Sequence, residues 1–229
     1  MINNNYNYQI EIRLKSDTLI GSGEGFGSII DTDVVFDDLG LPYIPAKRVK
    51  GIMLESAQEL NEMLNIFNKS IDIDNIFGKK GEKEGLVYFS NFYLENYANI
   101  REWLEYYCKK TKIINKQSII VQMTSLRYST AIDSKTNLAK EGSLRTERII
   151  NSGKNFVSDI DFPEKLEENI ALICQNTRRI GTKRTRGLGE IEVLLLKNGQ
   201  SINNIALKKL ESEDYKWIQN HLSGIKLIH

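Results

Sequence analysis

Tyr8-Gln9-Ile10-Glu11-Ile12-Arg13-Leu14 alternates apolar and polar side chains over seven residues. This period of two predicts a first β-strand whose inward face carries Ile10, Ile12 and Leu14. Further along the chain, hydrophobic periodicity predicts a helix, a strand, an insert, a strand, a helix and a final strand. The ranges predicted for these elements are helix 48–67, strand 86–94, strand 156–162, helix 163–176 and strand 189–196.

The order β-α-β-insert-β-α-β predicts the α+β class and, within it, the ferredoxin-like βαββαβ fold. A polar, basic stretch from 125 to 155 has only weak periodicity and is long for a loop, which indicates an inserted functional element. The 229 residues favour one elaborated domain, or two small ones that share a core. We predict a core of about 7–94 and 155–197, an insertion of about 95–154 and a C-terminal extension of 198–229.

Charge and apolar content exclude several classes of protein. Lys and Arg number 31 against 30 Asp and Glu, a net charge of +1, so any nucleic-acid site must come from the placement of charges. The densest apolar run, Val193 to Leu196, is far shorter than the ~18 residues that a membrane span needs. The N-terminus lacks the regions of a signal peptide, and two cysteines are too few for a zinc site or a disulfide framework. We expect a soluble cytoplasmic protein.

The glycine-rich loop, Arg178 to Gly189, is the segment with the clearest functional character. It contains Gly181, Gly187 and Gly189, which free the backbone to approach a polyanion. Five cations and no acid lie between its first residue and position 186, namely Arg178, Arg179, Lys183, Arg184 and Arg186. We predict phosphate binding, with Arg favoured at short range because its fork matches two phosphate oxygens. The alternative is a tight basic turn without a ligand, and a P-loop is excluded because no Gly-Lys-Ser/Thr ending is present.

Two other segments partly resemble known binding motifs but do not match them. The cluster Gly21–Gly27 does not match G-x-G-x-x-G in either register, which argues against a dinucleotide cofactor. The acidic residues that follow, Asp31, Asp33, Asp37 and Asp38, lack the spacing of an EF-hand. Asp37 and Asp38 indicate a solvated acidic turn, whereas Asp31 lies between apolar neighbours. No permanent metal site is predicted.

Residues 42–51, which have the sequence Pro-Tyr-Ile-Pro-Ala-Lys-Arg-Val-Lys-Gly, resemble a family motif, as does the glycine-rich loop. Together they are similar to the RAMP superfamily of CRISPR-associated proteins, particularly the backbone subunits of type III effector complexes. Ala46 and Val49 replace the family's usual Gly and Leu. Residues 130–147 are similar to the segment around the family's "thumb", and residues 30–37 look closest to type III-D members.

The resemblance implies a ferredoxin-like (RRM-like) core with an inserted thumb and a C-terminal glycine-rich loop. It also implies a subunit that holds guide CRISPR RNA in an antiviral type III effector complex and acts on bound target RNA. Its protein partners would be other RAMP backbone subunits and a large polymerase-like subunit. One alternative is a non-catalytic structural or capping subunit that mainly contacts neighbouring proteins, and another is a RAMP-fold module outside CRISPR.

The RNA-binding positions expected from the two motifs and the thumb are basic residues and loop glycines. They are Lys47, Arg48, Lys50, Arg127, Arg145, Gly181, Lys183, Arg184, Arg186, Gly187 and Gly189. Arg148 of the thumb is a further candidate. Aromatic residues of the predicted second strand are candidates for base stacking and equally for the core.

In the family's backbone subunits an aspartate after the first strand promotes metal-dependent cleavage of bound target RNA, and the resemblance places it on Asp31. The 2′-OH of the RNA would attack its own phosphate, while the carboxylate would hold Mg²⁺, another divalent ion or the flipped-out nucleotide. Asp33, predicted on the same strand face, is the nearest rival. Many guide-processing members of the family use a histidine as general base. Because His221 and His229 lie outside every motif, the processing role is disfavoured.

Overall fold

The structure, a computed structural model, describes residues 7–21, 30–66, 68–111, 114–133, 136–209 and 211–212. Its strands are β1 (Tyr8–Leu14), β2 (Gly78–Lys79), β3 (Lys83–Glu84), β4 (Tyr88–Phe89), β5 (Tyr93–Leu94), β6 (Thr124–Ser129), β7 (Arg145–Ile150), β8 (Asn155–Asp161), β9 (Ile191–Lys197) and β10 (Gln200–Ser201). Its α-helices are α1 (Ala46–Asn65), α2 (Ile73–Phe77), α3 (Tyr97–Thr111), α4 (Lys116–Met123) and α5 (Glu167–Asn176). Short 3-10 turns cover Glu164–Leu166 and Arg184–Arg186, and 203–209 is helical. The predicted α+β class is confirmed.

Strand β1 lies inside the main sheet, whose order is β10-β9-β1-β8-β4, with β5 also paired to β8. All of these pairings are antiparallel. In the register, Ile10 lies opposite Leu195 on β9 and Ser158 on β8. Ile10, Ile12 and Leu14 are buried, so the predicted inward face of the first strand is confirmed.

Helices α1 and α5 pack on each other, and α5 packs against β9. The apolar stripe of α1 buries Val49, Met53 and Ala57, because residues four apart lie on one face of a helix. The helix predicted from about 48 begins two residues earlier, directly after Pro45. Proline cannot donate a backbone hydrogen bond, so it is tolerated where a helix starts. This start places the Lys47-Arg48 pair in the first turn of α1.

The second predicted strand, 86–94, is interrupted in the structure. Only β4 and β5 pair with β8, because Phe92 between them pairs with the segment before α1. The Ile44 amide donates to the Phe92 carbonyl and the Phe92 amide to the Ile44 carbonyl, both at 2.9 Å. Of the aromatic residues of this region, Phe92 is buried and Tyr88 is exposed, and Phe89 stacks on Phe77.

The inserted region contains more regular structure than its sequence indicates. It contains α4, which begins with a capping box between Asn115 and Ser118. The polar stretch 125–155 contains the hairpin of β6 and β7, paired antiparallel along six residues of each strand. Glu147 and Arg148 are buried in β7, and buried charges hide the alternation by which a strand is predicted.

The prediction of a solvated acidic turn is wrong for Asp37. Its Oδ1 accepts the backbone amides of Leu39, Gly40 and Leu41 at 2.8–2.9 Å, and its side chain is only 8% exposed. Asp38 is exposed as predicted and forms a bidentate pair with Arg101. These hydrogen bonds lower the pKa of the Asp38 carboxyl.

Several predictions lie outside the described residues. They concern most of the Gly21–Gly27 cluster and the two histidines. Among the helices of the described ranges, none combines the length and the apolar character that crossing a membrane would require.

Candidate nucleic-acid interface

The glycine-rich loop leaves and re-enters the fold through a closed neck between α5 and β9. The Ile180 amide donates to the Gly189 carbonyl at 2.8 Å, and the Ile191 amide donates to the Arg178 carbonyl at 2.9 Å. The loop is also bound to the segment after β1, because the Thr182 amide donates to Leu19 and the Gly189 amide to Asp17. Its backbone is therefore held at both ends.

The three glycines of the loop have different surroundings. A Cβ on Gly181 would lie 2.2 Å from the Leu19 carbonyl oxygen, and one on Gly189 would lie 1.9 Å from the Ile180 carbonyl oxygen. Close backbone packing therefore requires both of these glycines. Gly187 has a left-handed φ of +78° and no atom within 4 Å of the Cβ position. Of the three, Gly187 alone leaves open space for a ligand at its Cβ position.

Three of the five loop cations are engaged within the chain. Arg184 donates through both Nη atoms to the Glu55 carboxylate of α1, at 2.9 and 3.0 Å, which raises the pKa of its guanidinium. Lys183 forms an ion pair with Glu147 of β7, and Arg179 donates to the Arg184 carbonyl. The remaining two, Arg178 and Arg186, are exposed. Neither forms a salt bridge with a residue in the described ranges.

A cavity of about 440 Å³ brings together predicted residues from three distant parts of the sequence. Asp31, the pair Lys47-Arg48 and Gly181 all line it. Ile20, Ile52 and Ile180 give it an apolar portion, and Arg48 is oriented by donating to the Gly21 carbonyl at 3.1 Å. Lys50 lies on the same helix but does not line the cavity.

Asp31 and Asp33 have different roles in the structure. Asp31 is exposed, and its Oδ2 accepts the Thr146 amide of β7 at 2.7 Å. Asp33 accepts from Nε of Arg148 at 2.9 Å, in an ion pair whose side chains are only 13% and 9% exposed. Asp33 does not line the cavity, and Arg148 is too buried to reach an RNA phosphate from the surface. The candidacy of Arg148 as a phosphate contact is therefore wrong.

The β6–β7 hairpin places the two other predicted arginines on the side of the glycine-rich loop. In its register Arg127 lies opposite Glu147, and Arg145 lies opposite Ser129. Directly opposed residues share one face of an antiparallel pair, and Lys183 contacts both Glu147 and Ser129. Arg127 and Arg145 therefore belong to the hairpin face that meets the loop.

The described residues contain no group of three or more His, Cys, Asp and Glu side chains placed to bind a metal ion. Asp31 is the single carboxylate among the cavity residues. It can supply one oxygen ligand, and Mg²⁺ is commonly bound through one or two carboxylates together with substrate phosphates. Asp31 can therefore supply one ligand to a divalent ion whose other ligands are not carboxylates of this cavity.

The sequence reasoning missed Glu55 and Glu147. Each is a carboxylate that pairs with a loop cation, across 129 residues to Arg184 and 36 residues to Lys183. Their spacing gives no sign of these contacts. Thr182 and Gly51 also line the cavity and were not singled out, although both lie within the two motifs.

Comparisons with known proteins agree with this architecture. A family model described as "RAMP superfamily" matches residues 11–192. A chain of the "Cryo-EM structure of the Type III-B Cmr-beta bound to cognate target RNA" is similar with a TM-score of 0.62 and 15% identity, covering 82% of this chain and 96% of that one. A chain of the "Type III-B Cmr-beta Cryo-EM structure of the Apo state" has a TM-score of 0.62 and 13% identity, covering 83% and 97%. A search of curated proteins finds no match.

Proposed function

The chain belongs to the RAMP superfamily, and on that premise we propose that it is a guide-RNA-binding backbone subunit of a type III CRISPR effector complex. The similar Cmr-beta chains belong to a type III-B complex that has been observed with cognate target RNA. In this proposal the protein works in the cytoplasm in antiviral defence. Its partners are guide RNA, target RNA, neighbouring RAMP subunits and a large polymerase-like subunit.

In the proposed architecture the whole chain is one domain with a ferredoxin-like (RRM-like) core. The sheet order β9-β1-β8-β4 supports this, because the last and third major strands flank the first. The β6–β7 hairpin with residues 130–144 would be the thumb. Its face carries Arg127 and Arg145 towards the glycine-rich loop.

The observation that carries the proposal is the convergence of Asp31, the Lys47-Arg48 pair and the glycine-rich loop around one cavity. Lys47 and Arg48 are the cations that line this cavity, and the loop contributes Ile180, Gly181 and Thr182 to it, whereas the loop cations lie outside the lining. Phosphate contacts fix nucleic-acid backbones without regard to base sequence. The exposed Arg186 and the open Gly187 are the loop positions best suited to such a contact, whereas Arg184 must first leave Glu55.

We expect Arg186→Gln to weaken binding of single-stranded RNA about tenfold, since a hydrogen bond to a charged group is worth roughly 1.5–3 kcal/mol. Arg184→Gln should weaken binding less, and the double variant most, without regard to base sequence. The measurement is fluorescence anisotropy of labelled RNA with the full chain over a series of salt concentrations. Each lost phosphate contact should reduce the slope of log K against log[salt] by about 0.7.

Lys79→Gln is the matched control for this series, because it removes one exposed cation from the short β2–β3 turn. It should leave the salt slope unchanged. A flat salt response of the unaltered chain would contradict the phosphate-binding mechanism. Unchanged binding by the Arg184/Arg186 double variant would show that the glycine-rich loop is a structural turn and does not bind RNA.

Cleavage of bound target RNA is the second part of the proposal. The Asp31 carboxylate borders the cavity and is held by the Thr146 amide, so it can orient a nucleotide for attack by its 2′-OH on the adjacent phosphate. The new O2′–P bond would replace the P–O5′ bond, leaving a 2′,3′-cyclic phosphate, while the 2′-OH proton passes to solvent and the departing 5′-oxygen is protonated from solvent. A divalent ion held by Asp31 and RNA phosphates would stabilise the charge that develops on the phosphate oxygens. Asp33 is less suited because Arg148 occupies it.

One observation favours the alternative of a subunit that mainly contacts proteins. Helix α3 exposes Trp103, Tyr106 and Tyr107, with Trp103 and Tyr107 stacked at a centroid distance of 5.9 Å. Exposed Trp and Tyr are enriched at the centres of protein interfaces. Failure of the full chain to bind RNA, together with copurification of companion subunits through α3, would favour this alternative.

A further inference from the structure

Lys183 and Glu147 form an ion pair between the glycine-rich loop and the hairpin. The Lys183 ammonium lies 2.6 Å from Oε2 of Glu147, whose side chain is 6% exposed, and 3.3 Å from Oγ of Ser129. Lys183 itself is 21% exposed and has a left-handed backbone, with φ of 57°. Two of its three donors are thus directed into the protein.

The two neighbours of Glu147 in β7 bind the acidic segment that carries Asp31 and Asp33. The Thr146 amide binds the carboxylate of Asp31, and the Arg148 guanidinium binds Asp33. Three consecutive residues of one strand therefore fix the acidic segment and the glycine-rich loop. An apolar cluster of Leu19, Ile149 and Leu188 supports the same junction.

We propose that Lys183 is a positioning residue whose ion pair with Glu147 fixes the glycine-rich loop to β7, and that it makes no phosphate contact. The inference deepens the proposed RNA-binding function and rests on it. It replaces the expectation that Lys183 attracts RNA. The local charge of the pair is zero, so its contribution to an anionic ligand is geometric: it sets where Arg186 and Gly187 lie relative to Asp31.

The two roles predict opposite signs for Glu147→Met. Removing an acid beside an RNA site should strengthen binding when only long-range attraction matters. If Glu147 positions the loop, the same change leaves Lys183 half-buried without its partner and should weaken binding about tenfold. Glu141→Met is the matched control, because it removes an exposed acid from the same hairpin region and should tighten binding slightly or leave it unchanged.

The double variant Lys183→Met/Glu147→Met separates the roles further. Apolar residues of similar volume can replace a buried ion pair at little cost, whereas removal of one partner is strongly disruptive. We expect the double variant to bind RNA about as well as the unaltered chain, with an unchanged salt slope. A slope reduced by about 0.7, or tighter binding by Glu147→Met, would overturn the inference.

Hydrogen exchange of the RNA-free chain gives an independent measurement. The Arg186 amide, which donates to the Lys183 carbonyl at 2.8 Å, should exchange faster in either single variant and recover in the double. If either Met variant fails to fold, Lys183→Arg can be measured in its place. This variant keeps the positive charge that pairs with Glu147, so its Arg186 amide should retain slow exchange. Unchanged exchange in the single variants would refute the positioning role even where RNA binds. The expected exchange pattern without any RNA binding would refute the proposed function alone.

Discussion

Gly189→Ala should be the most destabilising single substitution in the glycine-rich loop, reducing the free energy of unfolding by about 4 kcal/mol. Two effects add at this position. The backbone has a φ of +75°, and an added Cβ would lie 1.9 Å from the Ile180 carbonyl oxygen. That oxygen belongs to backbone at the loop neck and cannot move aside as a flexible side chain would. Urea denaturation of the full chain, with the free energy extrapolated to water, measures the effect.

Gly187→Ala is the matched control, because its φ is nearly the same and its Cβ position is empty. Only the left-handed backbone opposes this change, at a cost of about 1–2 kcal/mol. The difference between the two variants therefore isolates the steric contact at the neck. Equal losses would show that the neck is not closed in solution as the Ile180–Gly189 hydrogen bond indicates.

The main elements of the fold could be predicted because local periodicity marks them. The alternation in β1, the i, i+4 stripe of α1 and the apolar run of β9 each belong to one continuous segment. The hairpin of β6 and β7 could not be predicted in the same way. Glu147 and Arg148 occupy buried positions there, and each is tolerated only because an oppositely charged partner faces it.

Several residues of the candidate site could be predicted from the sequence, but the contacts between them could not. The Lys47-Arg48 pair and Gly181 were identified from their motifs, and the structure places them around one cavity with Asp31. The pairing of Arg184 with Glu55 was not identifiable, because these residues are far apart in sequence and meet only when α1 packs on α5. A sequence can thus show that cations are concentrated in a loop, while tertiary packing decides which of them are available to a ligand.

Asp31→Ala should reduce cleavage of target RNA by the assembled complex about a hundredfold or more, the range expected for loss of a positioned catalytic group. Guide binding should remain nearly intact, because the proposed phosphate contacts lie in the glycine-rich loop and at the start of α1. Removing a carboxylate from an anionic ligand's site can even tighten binding slightly. Single-turnover cleavage of end-labelled target RNA and anisotropy with guide RNA measure the two effects separately.

Asp31→Asn is the sharper variant of the same experiment. Its amide oxygen can still accept the Thr146 amide that binds Oδ2 of Asp31, so the segment stays in place while the charge is lost. We expect Asp31→Asn to be as inactive as Asp31→Ala. The cleavage products of the unaltered complex should carry a 2′,3′-cyclic phosphate. A target with a 2′-deoxy sugar at the cut position should resist cleavage, because the nucleophile is absent.

Asp33→Asn separates a catalytic loss from a structural one. It leaves the buried Arg148 without its charged partner, so it should lower the free energy of unfolding by about 3 kcal/mol or more, whereas Asp31→Asn should not. Full cleavage by Asp31→Asn together with an inactive but folded Asp33→Asn would move the assignment to Asp33. Absence of cleavage by the unaltered complex with every divalent ion would leave the subunit a guide-RNA scaffold, since the phosphate contacts do not depend on Asp31.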